Sequence, residues 1–320
     1  MRLTSKVFAL VALVSVMFPP SVSAQAPLVG PLVLTLPATP RTAALGNAWV
    51  AGRNPEVIFY NPAQLVGGGT TAFDLSLMHF GPDANMVTFG SAYASGKWST
   101  TLGWGVQYLR FRSDPNAPYP YTEDTLLSRG QTKGSSALFV VGGGILYKGF
   151  RAGASGKFAA ESVTSATTTF GQGPVNFSAL VADIGVSRPI FTGTAAMSIQ
   201  NIGGDPEDDP EDDARKIPMP RQVLAGWSTQ RGLGPFDVGL TGQVAFRHEW
   251  TGFGGGVDIG YSWIEGYSFQ LRAGIRRPET DAAHPFSFGA AFTADRLTVE
   301  YGVQLFEGGR AANGVTIRWR

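Results

Sequence analysis

Nine residues near the C-terminal end keep a strict two-residue beat. From Ser268 to Arg276, Phe269, Leu271, Ala273 and Ile275 are apolar, and the residues between them are polar or small. A β-strand sends successive side chains to opposite faces, so this segment reads as a strand with one apolar and one wet face. The beat recurs after residue 70. Phe236, Val238, Leu240, Val244 and Phe246 oppose Asp237, Thr241, Gln243 and Arg247. Leu297, Val299, Tyr301, Val303 and Leu305 oppose Thr298, Glu300, Gly302 and Gln304, and Val315, Ile317 and Trp319 oppose Thr316, Arg318 and Arg320. A soluble sandwich also alternates, so the medium must be read elsewhere.

It is read from the N-terminus. Arg2 and Lys6 precede an apolar run from Val7 to Phe18, Pro19 and Pro20 end it, and Val22-Ser23-Ala24 supplies a small-residue cleavage pattern. Residues 1–24 therefore read as a secretory signal peptide. The run is shorter than the ~20 residues of a spanning helix, although a retained anchor is the alternative. The chain has no cysteine, which excludes a cysteine-linked lipid anchor, disulfides and thiolate chemistry. Of 25 basic residues Arg2 and Lys6 leave with the signal, so 23 face 24 acidic ones, a balance that argues against nucleic acid as a partner.

Charged residues make up 15% of the chain, against ~25% in soluble domains. No later run is long and apolar enough for a helical span. A membrane protein without spanning helices must close its strands into a barrel, because unpaired backbone groups cannot face lipid. Short turns near 95–97, 148–149, 189–193, 232–235, 264–266 and 294–296 interleave with mostly longer connections, as periplasmic turns do with extracellular loops. Counting between them gives an all-β fold, a transmembrane antiparallel β-barrel of about 14 strands over residues 70–320, set in a Gram-negative outer membrane. Apolar faces are assigned to lipid and the others to the lumen. Trp98, Tyr147, Trp263 and Tyr267, beside short turns, suit a membrane interface.

Residues 25–69 break the pattern. Pro27, Pro31, Pro37 and Pro40 keep the start irregular, Thr42 to Ala51 reads as one or two helical turns capped by Thr39 or Thr42, and Gly67-Gly68-Gly69 forms a hinge. The segment is too apolar for a disordered tail and too irregular for a strand, and reads as a plug inside the barrel. Within it, Asn61 can close an Asx-type turn and Pro62 fixes φ, giving a corner at Asn61-Pro62-Ala63 that aims Phe59 and Tyr60. That corner either touches a ligand or seats the plug.

A three-residue loop at Ile264-Glu265-Gly266 sets Trp263 opposite Tyr267, Tyr261 opposite Phe269, and Asp258 opposite Arg272 on the lumenal side, where they are expected to pair. In an earlier strand, Leu102, Trp104, Val106 and Tyr108 hold the apolar face until Leu109 and Phe111 take it over. This phase change predicts a bulge at Tyr108 and Leu109, or a strand simply leaving the bilayer. The glycine triplets 142–144 and 254–256 lack the strand-to-helix setting of a phosphate loop and suit close approach of the plug to the wall. The acidic run Glu207 to Asp213 reads as a solvated loop, with a calcium site as the alternative. His79, His248 and His284 have neither metal spacing nor a nucleophile beside them. Neither an enzyme, a cofactor nor a bound metal is therefore expected.

Arg41-Thr42-Ala43-Ala44-Leu45-Gly46-Asn47-Ala48 followed by Phe59-Tyr60-Asn61-Pro62-Ala63 resembles the N-terminal signature of the PorV/PorQ family, outer-membrane barrels related to the long-chain fatty acid transporter FadL. Asn201-Ile202-Gly203 with Ile217-Pro218, Phe269 to Gly274, and Glu300-Tyr301-Gly302 resemble later family motifs. Asn47 and Gln64 stand where the family has glycine, and 52–57 lacks its acidic stretch. The resemblance implies a plug motif of Arg41, Gly46, Phe59, Tyr60, Asn61, Pro62 and Ala63, and a role in protein export, with secretion partners or cargo on loops 113–133, 162–174 and 203–218. The alternative it implies is FadL-like passage of a hydrophobic small molecule, with a lateral opening at Tyr108 and Leu109.

Overall fold

The computed structural model describes residues 30–67, 72–81, 84–95, 100–112, 132–165, 175–206, 217–247, 250–278, 283–306 and 310–320. The signal segment, the acidic run, Trp98, His248 and most of the long connections lie outside them.

Fourteen antiparallel strands close into one barrel, each hydrogen-bonded to its neighbours in sequence, with the first strand pairing the last. They are β1 (Ala72–Phe80), β2 (Ala84–Ser95), β3 (Thr100–Arg112), β4 (Thr132–Tyr147), β5 (Phe150–Ser165), β6 (Val175–Ile190) and β7 (Gly193–Ile202). The second half holds β8 (Gln222–Leu233), β9 (Phe236–Arg247), β10 (Trp250–Ile264), β11 (Tyr267–Arg276), β12 (Ala283–Ala294), β13 (Leu297–Phe306) and β14 (Ala311–Trp319). Closure leaves no sheet edge to be satisfied, and the alternation then sorts every strand into an outer and an inner face.

The outer face is apolar. Leu75, Trp104, Phe139, Phe158, Leu180, Leu271, Phe288 and Ile317 all project from the wall, uncovered by protein. The six carboxylates carried by the strands (Asp74, Glu161, Asp183, Asp237, Asp258 and Glu300) all share the inward parity. Tight turns mark one end. Lys148 and Gly149 both have positive φ (49° and 81°), the pair of values that a two-residue turn needs to match strand twist. Rings gather at this end: Trp263 lies 6.4 Å from Tyr267 and 6.1 Å from Phe292, and Phe236 lies 5.2 Å from Tyr261.

Three details correct the sequence reading. Pairing of β3 is regular on both sides from Thr100 to Phe111, so no bulge exists at Tyr108 and Leu109. Tyr108 points out while Leu109 and Phe111 point in and are buried, because the lumen at that level is packed with apolar residues. Arg110 and Arg112 then face outward beyond the apolar band. Real irregularities occur elsewhere. On β7 one extra residue lies between Ile199 and Ile202, with Asn201 at φ 57°, and β12 carries extra residues around Pro285, which has no N–H for the ladder. Finally, the β10–β11 hairpin closes through an Ile264–Tyr267 pair, which leaves Trp263 as a bulged residue, while Tyr261–Phe269, Ile259–Leu271 and Asp258–Arg272 are direct partners.

Candidate functional site

Residues 30–67 fill the lumen. Leu32 starts near the end that bears the long connections, where its N–H donates to Glu161 Oε2 at 2.6 Å. A short helix α1 (Pro40–Ala44) follows, begun by Pro40 and capped by Thr39 Oγ1, which accepts from the Thr42 N–H at 3.3 Å. Gly46 and Asn47 take positive φ (65° and 60°) and end it, so the segment from Leu45 to Ala51 runs on without helix. A 3₁₀ turn over Pro55–Phe59 and another over Pro62–Gly67 lead down to β1.

The wall is cut to receive this segment. At inward glycines a Cβ would meet plug atoms: Ala44 Cβ at 2.7 Å from Gly289, Leu45 Cδ2 at 2.7 Å from Gly256, Val50 Cγ1 at 2.6 Å from Gly226 and Leu65 Cδ2 at 2.9 Å from Gly103. The backbone of Pro40 sits against Gly302, that of Gly46 against Gly254, and that of Pro62 against Gly153. Side chains of the wall then clasp the plug backbone. Gln243 Oε1 accepts from the N–H groups of Trp49 (3.1 Å) and Val50 (2.8 Å), Thr241 donates to Ala48 O (2.8 Å), and Ser228 donates to Ala51 O (2.7 Å). Gln200 Nε2 donates to the carbonyls of Phe59 and Tyr60 at 3.2 and 2.5 Å. Irregular backbone at membrane depth is tolerated when its polar groups are satisfied in this way.

Charge locks the lower half. Arg318 on β14 reaches Asp74 on β1 (2.5 Å), Glu56 of the plug (2.7 Å) and Glu300 on β13 (3.0 Å). Arg41 of α1 also pairs with Glu300 (2.9 Å), and its guanidinium stands 5.4 Å over the Trp49 ring. Arg272 bonds Asp258 at 2.8 Å and extends to Glu300 at 3.4 Å. One fully buried arginine therefore ties the closing seam of the barrel to its plug. Asp258 is a quarter exposed, and Arg272 keeps Glu300 and Gln270 without it. Asp258→Asn is accordingly expected to shift the urea-unfolding stability by no more than about 1 kcal/mol.

The plug-motif residues divide by surroundings. Asn61 Nδ2 donates to Val50 O and Met197 O (3.0 and 3.3 Å), its Oδ1 accepts from the Ala63 N–H (3.1 Å), and Pro62 opens the last 3₁₀ turn. These are seating contacts. Phe59, Tyr60 and Gly46 instead border a cavity of about 80 Å³. Val33, Leu34, Leu36, Leu138, Leu224, Trp250 and Phe253 add apolar wall, Gln107, Gln200, Gln222 and Gln243 add amides, and Lys157, Arg247, Arg276 and Arg277 add basic side chains. The Tyr60 hydroxyl accepts from the Ala38 N–H at 2.6 Å, and burial pushes its pKa above the ordinary tyrosine range, so it stays neutral beside the cavity. At the cavity wall, Lys157 pairs with Asp183 at 2.7 Å and donates to Asn201 Oδ1, and Asn201 in turn donates to Pro220 O, knitting the β7 bulge to the residues that lead into β8.

Sequence reasoning assigned Glu300 and Arg318 to the lumenal face but did not pair them, and it missed Glu56 and Asp74. Opposite charges at inward parity on β1 and β14, the two strands that must meet on closure, were the available signal. Among the described residues, no group of three or more His, Asp or Glu could hold a metal ion.

Solved structures share this fold. The toluene transporter TbuX of Ralstonia pickettii aligns with a TM-score of 0.59 at 12% identity, covering 88% of this chain and 98% of that one. The fold is that of the FadL/TodX-type outer-membrane barrels. The P. putida toluene transporter TodX aligns at 0.60 with 10% identity over 87% and 95% of the two chains. A Pseudomonas aeruginosa FadL homologue aligns at 0.54 with 11% identity over 88% and 97%. No family model and no curated protein matches the chain.

Proposed function

We propose that this protein passes hydrophobic small molecules through a bacterial outer membrane, with its short-turn end in the periplasm and its long connections outside. The observation that carries the proposal is the cavity between the apolar N-terminal stretch of the plug and the wall of β3–β5 and β7–β11, in a lumen too full for a general porin. The similar toluene transporters support it by fold. The cavity's 80 Å³ is roughly half the ~150 Å³ that takes benzene in an apolar protein cavity. Entry of even a small aromatic therefore requires the plug or its lining side chains to yield. The similar toluene transporters favour hydrophobic transport over the export role implied by the PorV/PorQ resemblance.

The test is uptake of radiolabelled toluene by proteoliposomes. Protein-dependent uptake is expected, and Leu224→Trp, which fills the cavity from β8, is expected to reduce it at least fivefold. Equal uptake with and without protein would remove the proposal.

A further inference from the structure

The outward faces of β3–β6 change character in step at the long-connection end. Val106, Phe139, Phe158 and Leu180 form one registered row of large apolar side chains. The next row outward is Tyr108, Ala137, Ala160 and Ser178, and the one after is Arg110, Ser135, Ser162 and Asn176. Beyond Arg110 lies Arg112, registered with Lys133. From Tyr147 at the short-turn end to Ala137 is about ten residues, which at ~3.3 Å per residue and ~40° tilt makes ~25 Å, the height of an outer-membrane apolar band. The small row thus falls at the hydrocarbon boundary, and the basic row stands in the headgroup layer.

Two independent features meet there. Small side chains leave an open recess of about 540 Å³ on the outer wall, lined by Ser135, Ala137, Ala160, Ser162, Asn176, Phe177 and Ser178 and flanked by Pro206; Glu161 also borders it but turns its carboxylate to the Leu32 N–H in the lumen. At its edge Arg110, Arg112 and Lys133 are exposed, and no ion pair or hydrogen bond engages them among the described residues. No aspartate or glutamate on β1–β6 faces outward to neutralise them, since Asp74, Glu161 and Asp183 all point into the lumen. Guanidinium groups bind phosphate in a bidentate fork, and hydroxyl and amide side chains suit sugar hydroxyls.

We infer that this face binds a phosphorylated glycolipid of the outer leaflet, with its phosphate on Arg110, Arg112 and Lys133, its sugar in the serine-lined recess and its acyl chains along Phe139, Phe158 and Leu180. The site lies outside the barrel and is independent of what passes through the lumen; it rests only on the barrel's residence in the outer membrane.

The test uses delipidated full-length protein titrated with purified bis-phosphorylated lipid A and followed by native mass spectrometry. Dephosphorylated lipid A and phosphatidylglycerol are run in parallel. Wild type is expected to retain the phosphorylated form, with affinity at least tenfold lower for the dephosphorylated form. The R110Q/R112Q/K133Q variant, whose folding is checked by heat-dependent gel mobility, should lose binding by a similar factor. Equal binding of the two lipid A forms by wild type overturns the inference without recourse to the variant. So does phosphatidylglycerol binding as tightly as lipid A, or a folded variant that binds like wild type.

Discussion

Arg318→Met is expected to lower the unfolding free energy by about 3–5 kcal/mol, the usual cost of removing one partner from a buried ion cluster. The arginine is wholly buried and bonds three carboxylates drawn from β1, β13 and the plug. Methionine fills a similar volume but leaves Asp74, Glu56 and Glu300 facing one another without their shared cation. Glu300 would retain Arg41 and Arg272, whereas Asp74 and Glu56 form no other ion pair among the described residues. Those two set the size of the effect. Because Arg318 spans the β1–β14 seam, the loss should appear both as a lower urea midpoint and as faster unfolding in heat-dependent gel mobility. Glu56→Gln, which keeps a hydrogen-bond acceptor and removes one charge, should cost much less. If Arg318→Met unfolds like wild type, the cluster contributes nothing to closure.

The second large effect is expected at Gly302. A Cβ there runs into the backbone of Pro40, with the Pro40 carbonyl carbon at 2.7 Å, and the contact is with main chain rather than a flexible side-chain end. Gly302→Leu must therefore lift α1 off the wall, and with it the Arg41–Glu300 bond. Overpacking of this kind costs about 1–3 kcal/mol, but the informative change is functional. The barrel should still form while the lumen opens, seen as discrete ion-conducting steps in planar bilayers where wild type stays closed. Gly242→Ala provides the control, since a Cβ at that position meets open space. Conductance indistinguishable from wild type in Gly302→Leu would mean that α1 does not seal the lumen.

How much of this was legible in the sequence depends on which periodicity each residue obeys. The wall was legible, because alternation is local and repeats on every strand. The hairpin around Glu265 was legible down to the Asp258–Arg272 partnership, since register follows from turn position. The plug could be recognised by its failure to alternate, and its glycine seats by inward glycines, but its path across the lumen could not. That path depends on contacts such as Gln243 to Trp49 and Gln200 to Tyr60, more than a hundred residues apart. The misread bulge at Tyr108 and Leu109 has the same origin. An inward apolar pair looks like a phase slip only when the lumen is assumed to be wet at that level. The true bulge at Asn201 carried a weak cue, an asparagine, which tolerates positive φ better than most residues.

Residues 30–67 sit inside the barrel and, on the proposed function, control the passage of a hydrophobic molecule past them. A disulfide is the direct probe, because the chain has no cysteine of its own. Val50 packs on Gly226, whose added Cβ would stand 2.6 Å from Val50 Cγ1. The Val50→Cys/Gly226→Cys double variant should cross-link in intact outer membranes on mild oxidation. Toluene uptake should fall at least tenfold when it is oxidised and return on reduction. A pair that does not cross-link, or a cross-linked protein that transports as fast as the reduced one, would contradict the account.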